Sequence, residues 1–284
     1  MIRKIGISAG KILLFFGLWG AGIAVATLSV VHFGGPKFFE NIGWRIVVEA
    51  GGMVAAFAAL FIVAIFIDKR AVWTLGFPAQ GAIADLTRGM LIGAAIFCLP
   101  IGALAAMGYA HYAPDFSHFS VQALSLALLL VFVNVVDQEL IVRSYLFQEL
   151  WTKYSGTTAV IVSTIVFVGL HAAPISQGMM GKLAGLNILL ASVMLGIAYL
   201  RSGALWLPIG IHFGWNGFQG PVLGINVTGM DLGAHWHAFA VNGPALWTGG
   251  TMGVEGGLAG LAGPLLGIAI VPLFARRRAT AQAL

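Results

Sequence analysis

Charged residues are scarce in this sequence. Of its 284 residues, 10 are acidic and 15 are basic, so 9% of the chain is charged while 59% is hydrophobic. The mean hydropathy is +0.94. A soluble domain of this length needs a much larger charged surface, and the composition therefore excludes a soluble globular protein. It predicts an all-α polytopic membrane protein, with residues 1–284 forming a single integral membrane domain.

The sequence has only one cysteine and no long blocks of like charge. The single cysteine, Cys98, excludes an intramolecular disulfide, and its place in an apolar run predicts a buried small hydrophobe. The net charge of +5 is spread over short basic clusters between apolar runs. Such clusters are typical of membrane orientation signals, whereas a nucleic-acid-binding protein carries longer basic segments. The expected partner is therefore membrane lipid, with no nucleic acid.

The apolar runs predict about eight transmembrane helices, since a span needs about 20 mostly apolar residues. The runs cover residues 12–33, 46–67, 89–110, 119–138, 157–173, 185–200, 204–220 and 257–275. Eight spans place both termini on one side, and the basic residues concentrate in the segments on that side. By the positive-inside rule both termini are cytoplasmic, in what we expect to be a bacterial inner membrane. The basic residues concerned are Arg3, Lys4, Lys11, Lys69, Arg70, Arg88, Arg143, Lys153, Arg201, Arg276, Arg277 and Arg278.

The fourth apolar run ends in an ionisable patch at residues 137–143. Charged groups at membrane depth cost about 2.5–3.5 kcal/mol each on insertion, so they usually face a protein interior or a watered cavity. Glu139 and Arg143 are four residues apart, share one face of a helix, and are predicted to form a buried or half-buried ion pair. Apolar spacing continues past the patch, which predicts that this helix runs on to about Thr152.

A turn at residues 154–156 makes the fifth run antiparallel to the fourth. Glu139 lies 13 residues before Thr152, and His171 lies 15 residues after the turn. At about 1.5 Å per residue both lie about 20 Å from the turn, hence at one level in the membrane. Pro174 is expected to end or kink the fifth helix soon after His171.

The seventh run adds two further polar groups. His212 and Asn216 are again four residues apart on one helix face, about 10 and 16 Å from the start of the run. A single intramembrane histidine is often only a helix-to-helix hydrogen bond. Taken together with Glu139 and His171 at matching depths, these residues favour one buried, water-accessible site.

Three short patterns in this region resemble the motifs of the CPBP family, the CAAX prenyl proteases and bacteriocin-processing enzymes also called Abi proteins. They are Gln138-Glu139-x-x-x-Arg143, Phe167-x-x-x-His171 and His212-x-x-x-Asn216, in the family's order on successive hydrophobic segments. The stretch at residues 199–206, ahead of the third motif, is similar as well. The resemblance covers the motif-bearing core at residues 137–217, while the flanking runs agree only in being apolar.

The resemblance implies an intramembrane endopeptidase that hydrolyses a peptide bond with a water activated by a buried carboxylate. The family's paired glutamates fall on Gln138 and Glu139, and the first of them activates a water held with the histidine at His171. His212 and Asn216 are implied to stabilise the oxyanion of the tetrahedral intermediate. The implied catalytic residues are Glu139, His171, His212 and Asn216, supported by Gln138 and Arg143.

The chain departs from the family's pattern at two positions. Gln138 replaces the usual first glutamate, and an amide cannot accept a proton as a base. Ser144 replaces the glycine usual after the arginine. Glu139 is then the alternative base. Two other functions stay open: a weakened or inactive member acting as a membrane scaffold, regulator or bacteriocin-immunity protein, and a small transporter using the cavity for a proton or ion.

The same residues raise the question of a metal. Glu139, His171 and His212 are candidate zinc ligands that would leave an open coordination position, and many members of the family are called metalloproteases on that ground. The dense spacing of an HExxH helix is absent from the sequence, and a metal-free glutamate mechanism is favoured. The expected substrate is a membrane-embedded or lipidated peptide.

Overall fold

A computed structural model of the chain describes residues 2–232 and 236–275. This part of the chain is built of helices, as the composition predicts, with one small sheet. In chain order the helices are α1 (Ile2–Gly34), α2 (Ile42–Ile62), α3 (Ala82–Ala106), α4 (Val121–Arg143), α5 (Tyr145–Lys153), α6 (Gly156–Leu170), α7 (Ala172–Ile175), α8 (Gly178–Ser202), α9 (Trp206–Gly217), α10 (Ala245–Thr248) and α11 (Ala262–Phe274). The strands are β1 (Ala110–Asp115) and β2 (His237–Val241).

Several helices of the described chain are long and apolar enough to cross a membrane. Five such segments are Ile5–Gly34, Ile42–Ile67, Ala82–Ala106, Val121–Lys153 and Gly178–Ser202, and two shorter apolar helices are Gly156–Leu170 and Leu258–Phe274. Large apolar side chains point away from the bundle, with Leu13 71% and Ile83 81% exposed. Surface of this kind suits lipid rather than water. The chain is an all-α polytopic membrane protein, while the count of eight spans stays a prediction.

Polar contacts tie the predicted cytoplasmic segments together at one end of the bundle. Lys11 of α1 pairs with Asp68 just beyond α2, and the Tyr145 hydroxyl on α5 donates to the second oxygen of Asp68 at 2.9 Å. All three segments belong to the predicted cytoplasmic side, and the contacts agree with that grouping. The orientation itself stays a prediction. Part of its basic set lies outside the described residues or side chains, namely Arg3, Lys4, Arg276, Arg277 and Arg278.

Glycines let α3 and α9 approach each other closely. A Cβ atom on Gly93 would lie 2.1 Å from the carbonyl oxygen of Ile211, and one on Gly210 would lie 2.3 Å from that of Leu86. Membrane helices depend on such small-residue contacts, because lipid tails are as apolar as the helices and provide no hydrophobic drive for association. α9 also packs against α4 and α8. These contacts fix the position of the polar residues that α9 carries.

The helical segment that carries the ionisable patch runs to Lys153, close to the predicted end at about Thr152, but it is interrupted at one residue, a break that the sequence analysis did not predict. α4 ends at Arg143 and α5 begins at Tyr145, because Ser144 between them has φ −86° and ψ −99°, outside the helical region. The Ser144 hydroxyl donates back to the carbonyl of Leu140, a contact that competes with the helical backbone pattern. α5 ends at Lys153, so the predicted end of the segment is confirmed.

Two other features differ from the sequence-based predictions. Cys98 is exposed on α3, not buried. Since the lipid-facing side of a membrane helix is as apolar as its buried side, an apolar run does not reveal which side a residue occupies. The third run was predicted to continue to residue 110, but α3 ends at Ala106 and the chain enters β1, which pairs antiparallel with β2 through Ala110 and Val241.

Candidate active site

The ion pair predicted between Glu139 and Arg143 is confirmed. Nη1 of Arg143 donates to Oε1 of Glu139 at 2.8 Å, and both side chains are completely buried. Nη2 of Arg143 donates to the hydroxyl of Ser192 on α8 at 2.9 Å and to its carbonyl oxygen at 3.2 Å. The guanidinium lies over the Phe167 ring, 4.9 Å from its centroid. Arg143 therefore joins α4 to α6 and α8 as well as neutralising the carboxylate.

Glu139 also binds the histidine of the third motif. The Nδ1 atom of His212 lies 2.9 Å from the same Oε1 that accepts from Arg143. The second oxygen of Glu139, Oε2, is buried and has no hydrogen-bond partner in the described chain. A carboxylate beside a guanidinium is ionised, so it accepts the bond and the Nδ1 atom of His212 carries the proton. Arg143, Glu139 and His212 thus form one buried hydrogen-bonded chain.

His171 lies where α6 ends. The ring of Pro174 would clash with the carbonyl of Leu170, four residues earlier, if the helix continued. α6 accordingly ends at Leu170, and His171 adopts a non-helical conformation. Its Nδ1 atom lies 2.8 Å from the carbonyl oxygen of Phe167. The ring of Phe167 contacts both histidines, with centroid distances of 4.7 Å to His171 and 5.9 Å to His212.

A cavity of about 630 Å³ lies against these residues. Gln138, His171, His212 and Asn216 all line it, together with many apolar side chains. The convergence predicted from helix depth therefore holds for His171, His212 and Asn216. Glu139 does not line the cavity: it contacts His212 but is completely buried in the protein. The catalytic roles of the residues stay predictions.

Gln138 leads to two residues that sequence reasoning missed. Its Nε2 atom donates to Oδ1 of Asn134 at 2.9 Å, and Nδ2 of Asn134 donates to Oε2 of Glu49 on α2 at 2.9 Å. All three side chains line the cavity. One signal was available, because Glu49 is the single acidic residue in the predicted span at 46–67. Asn134, four residues before Gln138, shares its helix face.

Another missed carboxylate lies on the cavity wall, outside the membrane-spanning segments. Glu255 is 6% exposed and accepts hydrogen bonds from Nε1 of Trp215 at 3.0 Å and from the backbone N–H and hydroxyl of Thr228 at 2.8 and 2.7 Å. Burial raises the pKa of its carboxyl, and the hydrogen bonds from Thr228 and Trp215 act in the opposite direction. With both oxygens engaged, Glu255 serves to hold the loop against α9.

The zinc ligands considered above do not form a metal-binding group. Among the described residues no three His, Cys, Asp or Glu side chains are placed to hold a metal ion. The Arg143 guanidinium lies 2.8 Å from Oε1 of Glu139, and its positive charge opposes a cation at this carboxylate. The donor set of Glu139, His171 and His212 thus does not fit a divalent ion.

Comparison with known proteins supports the resemblance seen in the motifs. Residues 120–218 match the family model described as type II CAAX prenyl endopeptidase Rce1-like. The matched segment begins just before α4, ends just after α9, and contains all three motifs. No curated protein and no solved structure matches the chain.

Proposed function

We propose that this chain is an intramembrane endopeptidase, because residues 120–218 match the Rce1-like model of the type II CAAX prenyl endopeptidases. It hydrolyses a membrane-embedded or lipidated peptide inside the cavity. The observation that carries the proposal is that His171, His212 and Asn216 line one cavity within an otherwise apolar bundle. Ionisable and polar groups at membrane depth are expensive and usually mark a functional site.

The attacking water binds at His171. The carbonyl oxygen of Phe167 can only accept a hydrogen bond, so the Nδ1 atom of His171 carries the proton and Nε2 keeps its lone pair. Nε2 is then the ring's acceptor for one hydrogen of a cavity water. Holding the water in this way orients its oxygen toward the scissile carbonyl, which lowers the entropic part of the barrier.

His212 and Asn216 stabilise the oxyanion that forms when the water adds. They lie one turn apart on α9, and both line the cavity. In its imidazolium form, which the Glu139 carboxylate stabilises, His212 donates from Nδ1 to Glu139 and from Nε2 to the oxyanion, together with the Asn216 amide. Glu139 is a positioning residue in this scheme. A carboxylate that does not reach the cavity cannot take a proton from a water inside it, which argues against Glu139 as the alternative base.

The proposal extends to substrate and location. The expected substrate is a peptide whose cysteine near the carboxyl terminus carries a prenyl chain, as in the C-a-a-X signal. The route described here needs no metal, since His171, His212 and Asn216 supply the polar groups themselves. We place the protein in a bacterial inner membrane with both termini cytoplasmic, its cavity reached from the cytoplasm or laterally from the bilayer.

The test is cleavage of a prenylated, fluorescence-quenched C-a-a-X peptide by the purified protein in liposomes. Wild-type protein is expected to cleave it, and His171→Ala is expected to lower kcat by about 10²–10⁴-fold, the contribution of a well-placed proton-transfer or water-binding group. His118→Ala, which changes an exposed histidine outside the cavity, is the matched control and should keep wild-type activity. Cleavage that survives in His171→Ala would refute the proposed site.

A non-catalytic scaffold is the second candidate function. It is favoured by one observation: neither motif position offers the cavity a carboxylate, because residue 138 is an amide and Glu139 is held by Arg143 and His212. A scaffold needs only the packing of the helices and no group that accepts a proton. Failure of both the wild type and Gln138→Glu to cleave a panel of membrane peptides would support this function over proteolysis.

A further inference from the structure

The cavity has a carboxylate close to the position where the family's first glutamate is missing. We infer that Glu49 of α2 is the group that takes the proton from the attacking water. The inference rests on the proposed endopeptidase function and assigns the step that Gln138 and Glu139 leave without a residue. It uses a residue outside the matched segment 120–218.

Among the cavity carboxylates, Glu49 is more exposed than Asp137 and accepts fewer hydrogen bonds than Glu255. It is half-buried, and its recorded hydrogen bond within the described chain is the one from Asn134 to Oε2, so Oε1 is free to accept. Glu255 accepts three hydrogen bonds and has both oxygens engaged. Asp137 is 4% exposed and accepts from Nε1 of Trp19 at 3.2 Å.

The hydrogen-bonded chain from Gln138 through Asn134 fixes the position of Glu49. The Asn134 amide presents its oxygen to Gln138 and its NH₂ group to Glu49, each at 2.9 Å. This polarity matches an amide at position 138 and an accepting carboxylate at position 49. The Glu49 carboxylate is thus linked through one side chain, Asn134, to position 138, where the family has its first glutamate.

Two charged groups lie near Glu49. Arg45 is one turn earlier on α2 and donates to the carbonyl oxygen of Asp231 at 2.9 Å. Asp137 lies on α4 and faces α2 at Gly52, three residues after Glu49. A Cβ atom on Gly52 would lie 2.8 Å from Oδ2 of Asp137. Glu49 therefore has one cation, Arg45, and one further carboxyl group, Asp137, close to it.

The reaction balances with Glu49 as the base. An O–H bond of the water held at His171 breaks, and its proton passes to Glu49 directly or through one further cavity water. The water oxygen bonds to the carbonyl carbon, and the carbonyl electron pair forms the oxyanion at His212 and Asn216. When the oxyanion collapses, the C–N bond breaks and the proton on Glu49 goes to the leaving amine. The products are a carboxylic acid and a free amine.

A carboxylate swap tests the inference. Glu49→Gln is expected to lower kcat by about 10²–10⁴-fold with little change in KM, and to remove the acid limb of the pH profile. In the double variant Glu49→Gln/Gln138→Glu the Asn134 amide can turn over, so that the chain keeps one carboxylate, one amide and the same hydrogen bonds. This variant is expected to recover at least about tenfold in kcat over Glu49→Gln. Glu40→Gln changes an exposed glutamate and is the matched control.

The outcomes separate the two proposals. A wild-type protein that cleaves, with unchanged kcat in Glu49→Gln, overturns the role of Glu49 and leaves the endopeptidase standing. A wild-type protein that cleaves no prenylated or membrane peptide overturns the endopeptidase and this inference with it. An inactive double variant also counts against Glu49, because the swap keeps one carboxylate, one amide and the same hydrogen bonds among these three side chains.

Discussion

Removing the Arg143 guanidinium is the perturbation whose magnitude follows most directly from the structure. The side chain is completely buried and donates to Glu139 at 2.8 Å and to the Ser192 hydroxyl at 2.9 Å. Arg143→Met keeps much of the side-chain volume but leaves the Glu139 carboxylate with His212 alone. Losing one partner of a buried ion pair costs about 3–5 kcal/mol of unfolding free energy. Because His212 still donates to Glu139, we expect a loss of about 3 kcal/mol.

A second substitution separates the stranded charge from lost packing. In Arg143→Met/Glu139→Gln the buried pair carries no charge, and the amide oxygen introduced at position 139 can still accept from His212. Most of the lost stability should therefore return, because replacing both partners of a buried pair is often close to neutral. Unfolding free energies from SDS titration in mixed micelles measure both values. Lys37→Met, which breaks an exposed pair with Glu40, is the control and should leave the curve unchanged.

The reasoning about Arg143 fails under either of two results. A loss below about 1 kcal/mol in Arg143→Met would mean that the charge is not held in a low-dielectric interior. A double variant as unstable as the single one would mean that packing, and not the unpaired carboxylate, sets the cost.

Two further outcomes concern stability. Gly93→Ala should lower the melting temperature in detergent, since its Cβ would lie 2.1 Å from the carbonyl oxygen of Ile211 and overpacking costs about 1–3 kcal/mol. Gly102→Ala is the control on the same helix, because a Cβ there meets no heavy atom within 4 Å, and it should leave the melting temperature unchanged. Equal melting temperatures of the two variants would contradict the close α3–α9 contact. Burial raises the pKa of the Glu255 carboxyl, so the folded protein holds this proton more tightly than the unfolded chain does. The stability that the protonated carboxyl contributes is therefore greatest at low pH, and it falls as the pH rises from about 4 through the folded pKa. The wild-type melting temperature minus that of Glu255→Gln should therefore decrease with rising pH, and a difference independent of pH would contradict this.

The sequence predicted the parts of the site that depend on helix periodicity. The spacing of four residues placed Glu139 beside Arg143, and the equal distances from the turn placed His171 at the level of Glu139. His212, which binds Glu139, shares the Phe167 ring with His171. Both predictions needed only the rise and pitch of a helix. The end of α6 was also predictable from the sequence, because it follows from the steric demands of Pro174.

What the sequence could not predict depends on which helices are neighbours in space. Glu49 contacts Asn134, and through it Gln138, only because α2 packs beside α4, and no periodicity within one helix reveals that contact. The exposure of Cys98 likewise depends on which side of α3 faces lipid. Whether Glu139 reached the cavity was also undetermined, since its face of α4 is shared with Arg143 and the burial of both depends on α8 and α9.

The most direct test of the central claim is to hydrolyse the prenylated peptide in water enriched in oxygen-18 and to weigh the products. If a cavity water held at His171 attacks the peptide bond, the product with the new carboxyl terminus carries one heavy oxygen and the other product carries none. Wild-type protein in liposomes should give this labelled pair, and His171→Ala should give it at a rate lower by about 10²–10⁴-fold. An uncut peptide with the wild type, or equal labelling by both proteins, would contradict the account.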